Sequence, residues 1–219
     1  MSTVKAYKGL PMEGVIASWY AKTTFKDLNR HKTMAKQMVG KIPANGKVLE
    51  IAPGPGYFCI ELAKLGNFQI TGLDVSKSFV QIADRNAKQA GLLIDFREGN
   101  ASAMPFKDNS FDFTFCQAAF KNFSDPVKAI AEMYRVLKPK GTAVIVDMRG
   151  DASVADIERE VKGMGLDHVN EFIVKWTFDH MLLKSAYSLD EMEAMVAKTP
   201  FGQCKIDIKG VGFQVWLEK

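Results

Sequence analysis

The chain has 219 residues, of which 47% are hydrophobic and 25% charged, which is the balance of a globular domain with a proper core. Its formal net charge is +4, and because Lys and Arg are spread along the chain we expect no nucleic-acid partner. No apolar stretch approaches the ~18 residues of a membrane span, and the N-terminus has no apolar signal region, so we expect a cytoplasmic protein without membrane insertion. The chain has three cysteines, Cys59, Cys116 and Cys204. Because their number is odd and they are far apart in sequence, they indicate reduced thiols in the core and not a disulfide or a metal site.

The first 46 residues predict a helical cap. Residues 1–12 are polar and irregular, and residues 13–42 have helical apolar spacing with a break near Thr23 and Thr24. Pro43-Ala-Asn-Gly46 then ends the cap.

The next stretch predicts a strand, a tight turn and a helix. Val48, Leu49 and Ile51 form an apolar strand, residues 52–56 are rich in Gly and Pro, and residues 57–65 have helical spacing. Gly54 and Gly56 leave no Cβ between the backbone and a ligand, and the first helical amides face the same gap. A second strand, residues 68–74, ends in Asp74, which suits a carboxylate that accepts hydrogen bonds from ribose hydroxyls.

Two details distinguish this corner from a dinucleotide site. The G-x-G-x-x-G pattern begun at Gly54 needs a third glycine where the chain has Cys59. Glu50 lies at the end of the apolar strand, where it disfavours a pyrophosphate and favours an amine or another cation. The motif Glu50-Ile-Ala52-Pro-Gly54-Pro-Gly56 resembles the acidic-x-Gly-x-Gly-x-Gly motif of class I S-adenosylmethionine-dependent methyltransferases, with Ala52 in place of the first glycine.

The chain then continues the strand–helix alternation. The predicted strands are residues 93–97, 111–117 and 142–148, and the predicted helices are residues 79–90, capped by Ser76 or Ser78, and 126–137, capped by Asp125. Met133-Tyr-Arg-Val-Leu-Lys-Pro-Lys-Gly141 resembles the ubiquinone and menaquinone biosynthesis-like branch of the same family, and the likeness to the fold covers residues 48–149 well.

The last third departs from that alternation. Residues 156–164, 169–183 and 189–198 have helical spacing, with a Ser188–Glu191 capping box for the last of them. Residues 205–209 and 212–217 predict a terminal hairpin. We therefore expect an α/β, Rossmann-like, doubly wound seven-stranded sheet, mainly parallel with an antiparallel C-terminal hairpin strand. Its segments are an N-terminal helical cap (1–46), a cofactor-binding core (47–149), a helical lid (150–201) and the hairpin (202–219).

The resemblance implies S-adenosylmethionine as the cofactor, with S-adenosylhomocysteine as the product. In this family a Gly-acid-Ala step binds adenine, and here it is Gly99-Asn100-Ala101. The Asn100 amide oxygen can still accept from the adenine amine, although Asn is also a common turn residue. The implied cofactor-binding residues are Tyr20, Glu50, Ala52, Pro53, Gly54, Gly56, Tyr57, Asp74, Val75, Asn100, Ala101, Gln117 and Phe120.

Methyl transfer from a sulfonium is an in-line displacement that depends mainly on alignment, so a His–Asp pair is not required. In this fold the loop after the fourth strand lies beside the transferable methyl, and Gln117-Ala-Ala-Phe120 differs from the Asn/Asp-Pro-Pro-aromatic step that holds amide or base nitrogens. The candidate catalytic residues are Tyr20, Lys121 and His180, and the candidate substrate-binding residues are Lys121, Asn122, Trp176 and Tyr187.

Each of these candidates also has a purely structural interpretation. Tyr20 can pack its helix, Lys121 can be an exposed lysine, a lone His180 is more often packed or at the surface, and Trp176 and Tyr187 can be core. We expect a small, partly apolar acceptor and no metal. The methylated atom, and whether the protein is a monomer or a homodimer, do not follow from the sequence.

Three other functions are weighed. Aminopropyl transfer on the same fold is disfavoured because the loop after the fourth strand lacks acidic clusters. A nicotinamide oxidoreductase is disfavoured by Cys59 and by the terminal hairpin. A non-catalytic S-adenosylmethionine-binding module is the main alternative, and Ala52 and Asn100 are the residues that hint at it.

Overall fold

The computed structural model describes residues 7–8, 12–25, 28–163, 183 and 185–219. Its strands are β1 (Lys47–Ile51), β2 (Gln69–Asp74), β3 (Asp95–Glu98), β4 (Phe111–Gln117), β5 (Leu137–Met148), β6 (Lys205–Lys209) and β7 (Gly212–Glu218). Its helices are α1 (Gly14–Thr24), α2 (Leu28–Met38), α3 (Tyr57–Ala63), α4 (Lys77–Gln89), α5 (Pro126–Val136), α6 (Val154–Gly163) and α7 (Leu189–Ala197).

The strands form one sheet in the order β3-β2-β1-β4-β5-β7-β6. Strands β1 to β5 pair in parallel, and β7 enters antiparallel between β5 and β6. The order reverses between β1 and β4, and this switch point is where open α/β sheets bind ligands, beyond the carboxyl ends of the strands. The predicted fold class is confirmed.

Helices cover both faces of the sheet, which explains why its central strands are apolar on both sides. On one face Leu49, Ile51 and Ile145 pack with α5 and α7, and on the other Val48 and Phe115 pack with α2 and α3. This double layer fixes the carboxyl ends of β1, β2, β4 and β5, which carry the candidate site.

The predicted helix starts are confirmed where a cap is present. Ser76 Oγ accepts from the Phe79 N–H at 3.1 Å, Asp125 Oδ1 accepts from the Lys128 N–H at 3.1 Å, and Ser188 and Glu191 form the reciprocal capping box. The cap also divides as predicted, since α1 ends at Thr24 and α2 begins at Leu28.

Strand β5 differs from the prediction because it begins at Leu137, not at Thr142. Phe111 pairs with Leu137 while Phe113 pairs with Thr142, so the predicted turn at 138–141 is a bulge within the strand. The bulge lets Lys138 Nζ reach Asp112 Oδ2 at 2.7 Å. The predicted helix over residues 169–183 lies almost wholly outside the described residues. None of the helices in the described part of the chain is long and apolar enough to cross a bilayer.

Candidate active site

The turn after β1 has the backbone shape that its small residues permit. Ala52, Gly54 and Gly56 have φ values of +56°, +53° and +79°, all in the left-handed region. A Cβ at Gly56 would lie 2.9 Å from the Ala83 Cβ and from the Phe96 ring, so this glycine lets α4 and β3 pack against the turn. A Cβ at Gly54 would meet nothing within 4 Å, so the backbone there faces open space. The turn is therefore shaped to bring its backbone close to a ligand.

Ala52 is strained at its position, and we expect Ala52→Gly to raise the free energy of unfolding by roughly 0.5–1 kcal/mol, because glycine has no penalty at φ +56°. Urea unfolding of both proteins measures the difference. Ala90, at φ −81°, is the matched control, and there the same substitution lowers stability because glycine adds only chain entropy. A loss of stability in Ala52→Gly would contradict the assigned strain.

Asp74 ends β2 directly beside this turn. Its Oδ2 accepts from the Gly54 N–H at 3.0 Å and its Oδ1 accepts from the Ser76 N–H at 2.9 Å, so the carboxylate joins the turn to the start of α4. The side chain is 5% exposed, and this burial raises its pKa to about 6 despite the two amide donors. Each carboxylate oxygen keeps a lone pair for a ligand hydroxyl.

Glu50 lies beneath the turn and is 3% exposed. The Cys59 thiol donates to its Oε2 at 2.8 Å. Burial raises the pKa of Glu50 to about 7, and the nearby Asp74 carboxylate adds to that shift. A cation bound at the turn would favour the ionised form, so this buried carboxyl is suited to a positively charged ligand.

These two carboxyls make the ligand-free protein more stable at lower pH. Their folded pKa values, about 7 and about 6, exceed the unfolded values, so the stabilising contribution is present below pH 4 and is lost as pH rises through 6 to 7. We expect Glu50 to contribute on the order of 2 kcal/mol across this window. Urea unfolding from acid to slightly alkaline pH measures it, with Glu50→Gln as reference. If the two pH profiles run parallel, the shift assigned to Glu50 is wrong.

The predicted adenine end lies beside β3. The Asn100 Oδ1 accepts from the Ser102 N–H at 2.9 Å, so Asn100 is a turn residue, which is the structural interpretation given above. Its oxygen keeps a second lone pair for a ligand. Ala101 is half-buried, and Val75 is 45% exposed although it is a large apolar side chain next to Asp74. An exposed valine at this position offers an apolar surface for a flat ring.

The carboxyl end of β4 carries an unsatisfied polar atom. Gln117 Oε1 is buried without a hydrogen-bond partner, and the next residue, Ala118, has φ +55°. Strained backbone and orphaned acceptors are concentrated at functional sites. Phe120, in contrast, is fully buried against Phe123 and Tyr187, so it supports the loop and does not present its ring to a ligand.

Lys121 is not a free surface lysine. Its Nζ lies 2.9 Å from Asp147 Oδ1, its N–H donates to Asp147 Oδ2 at 3.0 Å, and the two side chains are 12% and 1% exposed. Asp147 is the next-to-last residue of β5, so this ion pair ties the loop after β4 to the neighbouring strand. The sequence reasoning missed Asp147, although an acid in the apolar run Thr142–Met148 was a usable signal.

The residues before α1 contact the core at two places, one on each side of the site. Tyr7 bridges to Phe123, and the Lys8 N–H donates to the Asn122 carbonyl at 2.8 Å. At the other side the Ser76 hydroxyl donates to the Met12 carbonyl at 2.6 Å. The residues before α1 are thus anchored beyond β4 and beyond β2, on either side of the turn after β1.

Burial, with Tyr20 and the Asp74 and Asp147 carboxylates nearby, raises the pKa of Tyr7. The Tyr7 phenol is therefore within electrostatic range of both carboxylates. No local pattern in the sequence singled out this residue, because its position depends on a contact with Phe123, more than a hundred residues later.

The remaining candidates fall into three groups. Tyr20 packs edge-on against Phe79 at 5.8 Å, and the Tyr57 hydroxyl donates to the Ala21 carbonyl at 2.9 Å, so both tie the cap to the core. Tyr187 accepts a hydrogen bond from Lys8 Nζ, which brings it to the loop that contains Asn122. His180 and Trp176 lie outside the described residues.

The residues present fit S-adenosylmethionine on two observations. The open space over Gly54 is the cradle that a Cβ would fill, and the buried Gln117 Oε1 lacks a donor that a ligand ammonium would supply. Pro53 is buried in the turn, and its carbonyl accepts from the Gly56 N–H at 3.0 Å.

The fold, with its antiparallel β7 and its acid-flanked Gly turn, is similar to that of the Rossmann-like methyltransferases. The sequence agrees, since residues 49–145 match the family model described as a methyltransferase domain. This stretch is similar to class I S-adenosylmethionine-dependent methyltransferases, and its relatives include enzymes of ubiquinone and menaquinone biosynthesis.

Two relatives and one structure illustrate the similarity. A demethylmenaquinone methyltransferase of Deinococcus radiodurans is 38% identical over 108 residues, 49% of this chain and 45% of that protein. A ubiquinone/menaquinone biosynthesis C-methyltransferase of Bdellovibrio bacteriovorus is 35% identical over 105 residues, 48% of this chain and 45% of that protein. The chain thus spans about half the length of the curated relatives it matches.

A crystal structure of a putative S-adenosyl-L-methionine-dependent methyltransferase from Methanococcus maripaludis superposes with a TM-score of 0.77. The match covers 100% of this chain and 97% of that one at 21% identity, so it shows a shared fold. Nothing in these similarities favours a non-catalytic module.

Proposed function

We propose that this protein transfers a methyl group from S-adenosylmethionine to a small-molecule acceptor. The observation that carries the proposal is a set of groups at the carboxyl ends of the strands, at the switch point of the sheet. They are the open backbone at Gly54, the buried carboxyls of Glu50 and Asp74, and the partnerless Gln117 oxygen. Together they match a ligand with a cationic end and a hydroxyl-bearing ring.

Each group has a distinct part in holding the cofactor. Asp74 accepts from the ribose hydroxyls with the lone pairs that Gly54 and Ser76 leave free. Gln117 Oε1 accepts from the ammonium of the methionine part, and Glu50 stabilises that positive charge from beneath the turn. Asn100 and Val75 hold the adenine ring by a hydrogen bond and an apolar contact.

The bound cofactor supplies an activated methyl on a positively charged sulfur. The chain then has to align the acceptor with that methyl and exclude water, which accounts for much of the rate in such displacements. We assign to Tyr7, Tyr20 and Lys121 the task of orienting the acceptor beyond β4. Lys121, held by Asp147, presents its remaining N–H donors to a polar acceptor atom.

The acceptor is proposed to be partly apolar and small. It would lie between the N-terminal residues and the segment that contains Tyr187, with the Tyr187 ring and the residues beside Asn122 as its walls. Trp176 and His180 belong to that segment in sequence and stay candidates for the same pocket.

Calorimetric titration with S-adenosylmethionine, S-adenosylhomocysteine and NAD in parallel tests the cofactor. We expect binding of the first two in the range of about 1–100 μM, as for typical enzyme substrates, and none of NAD. Incubation with methyl-labelled cofactor and a panel of phenols, thiols and amines then tests turnover. NAD binding alone would overturn the assignment, and tight cofactor binding without turnover on any acceptor would favour the non-catalytic alternative.

A further inference from the structure

Helix α1 packs on the core through two alanines and exposes large apolar side chains to solvent. Ala17 and Ala21 are buried against the core, while Val15 and Trp19 are 85% and 64% exposed. Each pair is spaced i, i+4, so the two alanines form the inner face and the valine and tryptophan form the outer face. Two more exposed large apolar side chains flank the outer face, Ile16 and Phe25. We call the surface formed by Val15, Ile16, Trp19 and Phe25 the outer patch.

The helices of the cap that carries the outer patch expose several basic side chains. Lys22 is exposed and follows Trp19 by three residues, which places it on the same side of α1. On the next helix Arg30, Lys32 and Lys36 are also exposed. Glu13 is the one carboxylate in the described part of residues 1–46, and its Oε2 accepts from the Ser78 N–H at 3.0 Å.

The charge of the cap differs from that of the rest of the chain. Residues 1–46 contain eight Lys or Arg and two Asp or Glu, whereas the whole chain has 29 and 25. Basic residues are thus spread evenly, but the acidic residues are concentrated after residue 46. The cap alone carries more positive charge than the complete chain, whose net charge is +4.

This combination decides among the possible occupants of the outer patch. In a symmetric dimer the same basic surface would face itself, so a second copy is disfavoured by like-charge repulsion. A nucleic acid would use the cations but would leave valine, isoleucine and tryptophan in water. An anionic bilayer satisfies both, because an interfacial helix inserts its apolar face between headgroups and places Lys and Arg near the phosphates.

We propose that α1 is a membrane-docking helix that lies in the plane of an anionic lipid surface. Val15 and Trp19 enter the boundary between headgroups and acyl chains, and Lys22 with the cations of α2 contacts the lipid phosphates. The helix has 11 residues and lies on the bilayer without crossing it. The inner face keeps its packing on the core, so docking requires no unfolding of the cap.

Sedimentation of the full chain with unilamellar vesicles tests the proposal. We expect the protein to partition onto vesicles of phosphatidylcholine and phosphatidylglycerol at least tenfold more strongly than onto phosphatidylcholine alone, and to be released by high salt. The double variant Val15→Ser/Trp19→Ser should lower partition onto the anionic vesicles by about tenfold or more. The matched control is Leu93→Ser, since Leu93 is 100% exposed outside the patch, and it should leave partition unchanged.

Two double variants that each remove two positive charges complete the test. Lys22→Gln/Arg30→Gln should lower partition by roughly tenfold, whereas Lys107→Gln/Lys140→Gln, with the same loss of charge at exposed sites elsewhere, should have a much smaller effect. All of these residues are exposed, and circular dichroism checks that each variant is folded. Absence of vesicle binding, equal losses in patch and control variants, or a dimer that Trp19→Ser dissociates would each overturn the proposal. None of these outcomes bears on cofactor binding, so they stand apart from the test of methyl transfer.

Discussion

Replacing Asp74 with Asn should weaken binding of both S-adenosylmethionine and S-adenosylhomocysteine by about 100-fold or more. The carboxylate would lose its charge and one of its acceptor oxygens, and each charge-assisted hydrogen bond to a ribose hydroxyl is worth about 1.5–3 kcal/mol. Titration calorimetry measures the change. Both ligands should weaken equally, because the ribose is common to them and the methyl group is remote from Asp74.

The substitution separates ligand binding from structural support. Burial raises the pKa of Asp74 to about 6, so at neutral pH the carboxylate is mostly ionised at a cost in stability. In Asp74→Asn the relief of that cost opposes the loss of one of the two hydrogen bonds from the Gly54 and Ser76 N–H groups, so the melting temperature without ligand should change little. The wild-type protein should gain stability with cofactor, and the variant should not. Glu98 is the matched control, because it pairs with Asp74 in the sheet register and is exposed. If Glu98→Gln weakens binding as much as Asp74→Asn, or if Asp74→Asn unfolds the apoprotein, the assigned role is wrong.

The sequence was sufficient for the parts of the site whose chemistry is local. A buried apolar strand, a turn with Gly54 and Gly56, and an acid at the end of the next strand follow one another within 28 residues, from Lys47 to Asp74, and their order alone places them at one edge of a parallel sheet. The same holds for helix caps, since Ser76, Asp125 and Ser188 each accept a hydrogen bond from the amide three residues ahead.

Local sequence patterns could not predict the contacts between segments that are distant in sequence. Tyr7 reaches the site through Phe123, and Lys121 is held by Asp147, which lies 26 residues away on another strand. Aromatic residues were ambiguous for a related reason. Phe120 and Tyr57 both follow strand ends in sequence, but one is fully buried in the core and the other anchors the cap, and only three-dimensional packing separates these outcomes from a ligand contact. Ala52 replaces the first glycine of the motif, and only the structure shows, by its φ of +56°, that the alanine is strained there.

Removing the Asp147 carboxylate should have the largest effect on stability. In Asp147→Ala the Lys121 ammonium, 12% exposed, would lose its ion-pair partner, and the amides of Lys121 and Met148 would lose their acceptor. Uncompensated buried charges of this kind cost about 3–5 kcal/mol. Urea unfolding measures the loss. The pair Lys88–Asp84, with side chains 68% and 45% exposed, is the control, and Asp84→Ala should change stability by less than about 0.5 kcal/mol.

The double variant Lys121→Met/Asp147→Leu distinguishes a structural pair from a catalytic one. Replacing both charges with apolar groups removes the uncompensated charge, so most of the stability lost in Asp147→Ala should return. Turnover should not return if the Lys121 ammonium contacts the acceptor, and cofactor affinity should be unchanged because Asp74 and Gln117 are intact. Recovery of both stability and turnover would show that Lys121 and Asp147 only fasten the loop. Tyr7 and Tyr20 would then be the groups left to orient the acceptor, so this one variant decides which side of the site positions the nucleophile.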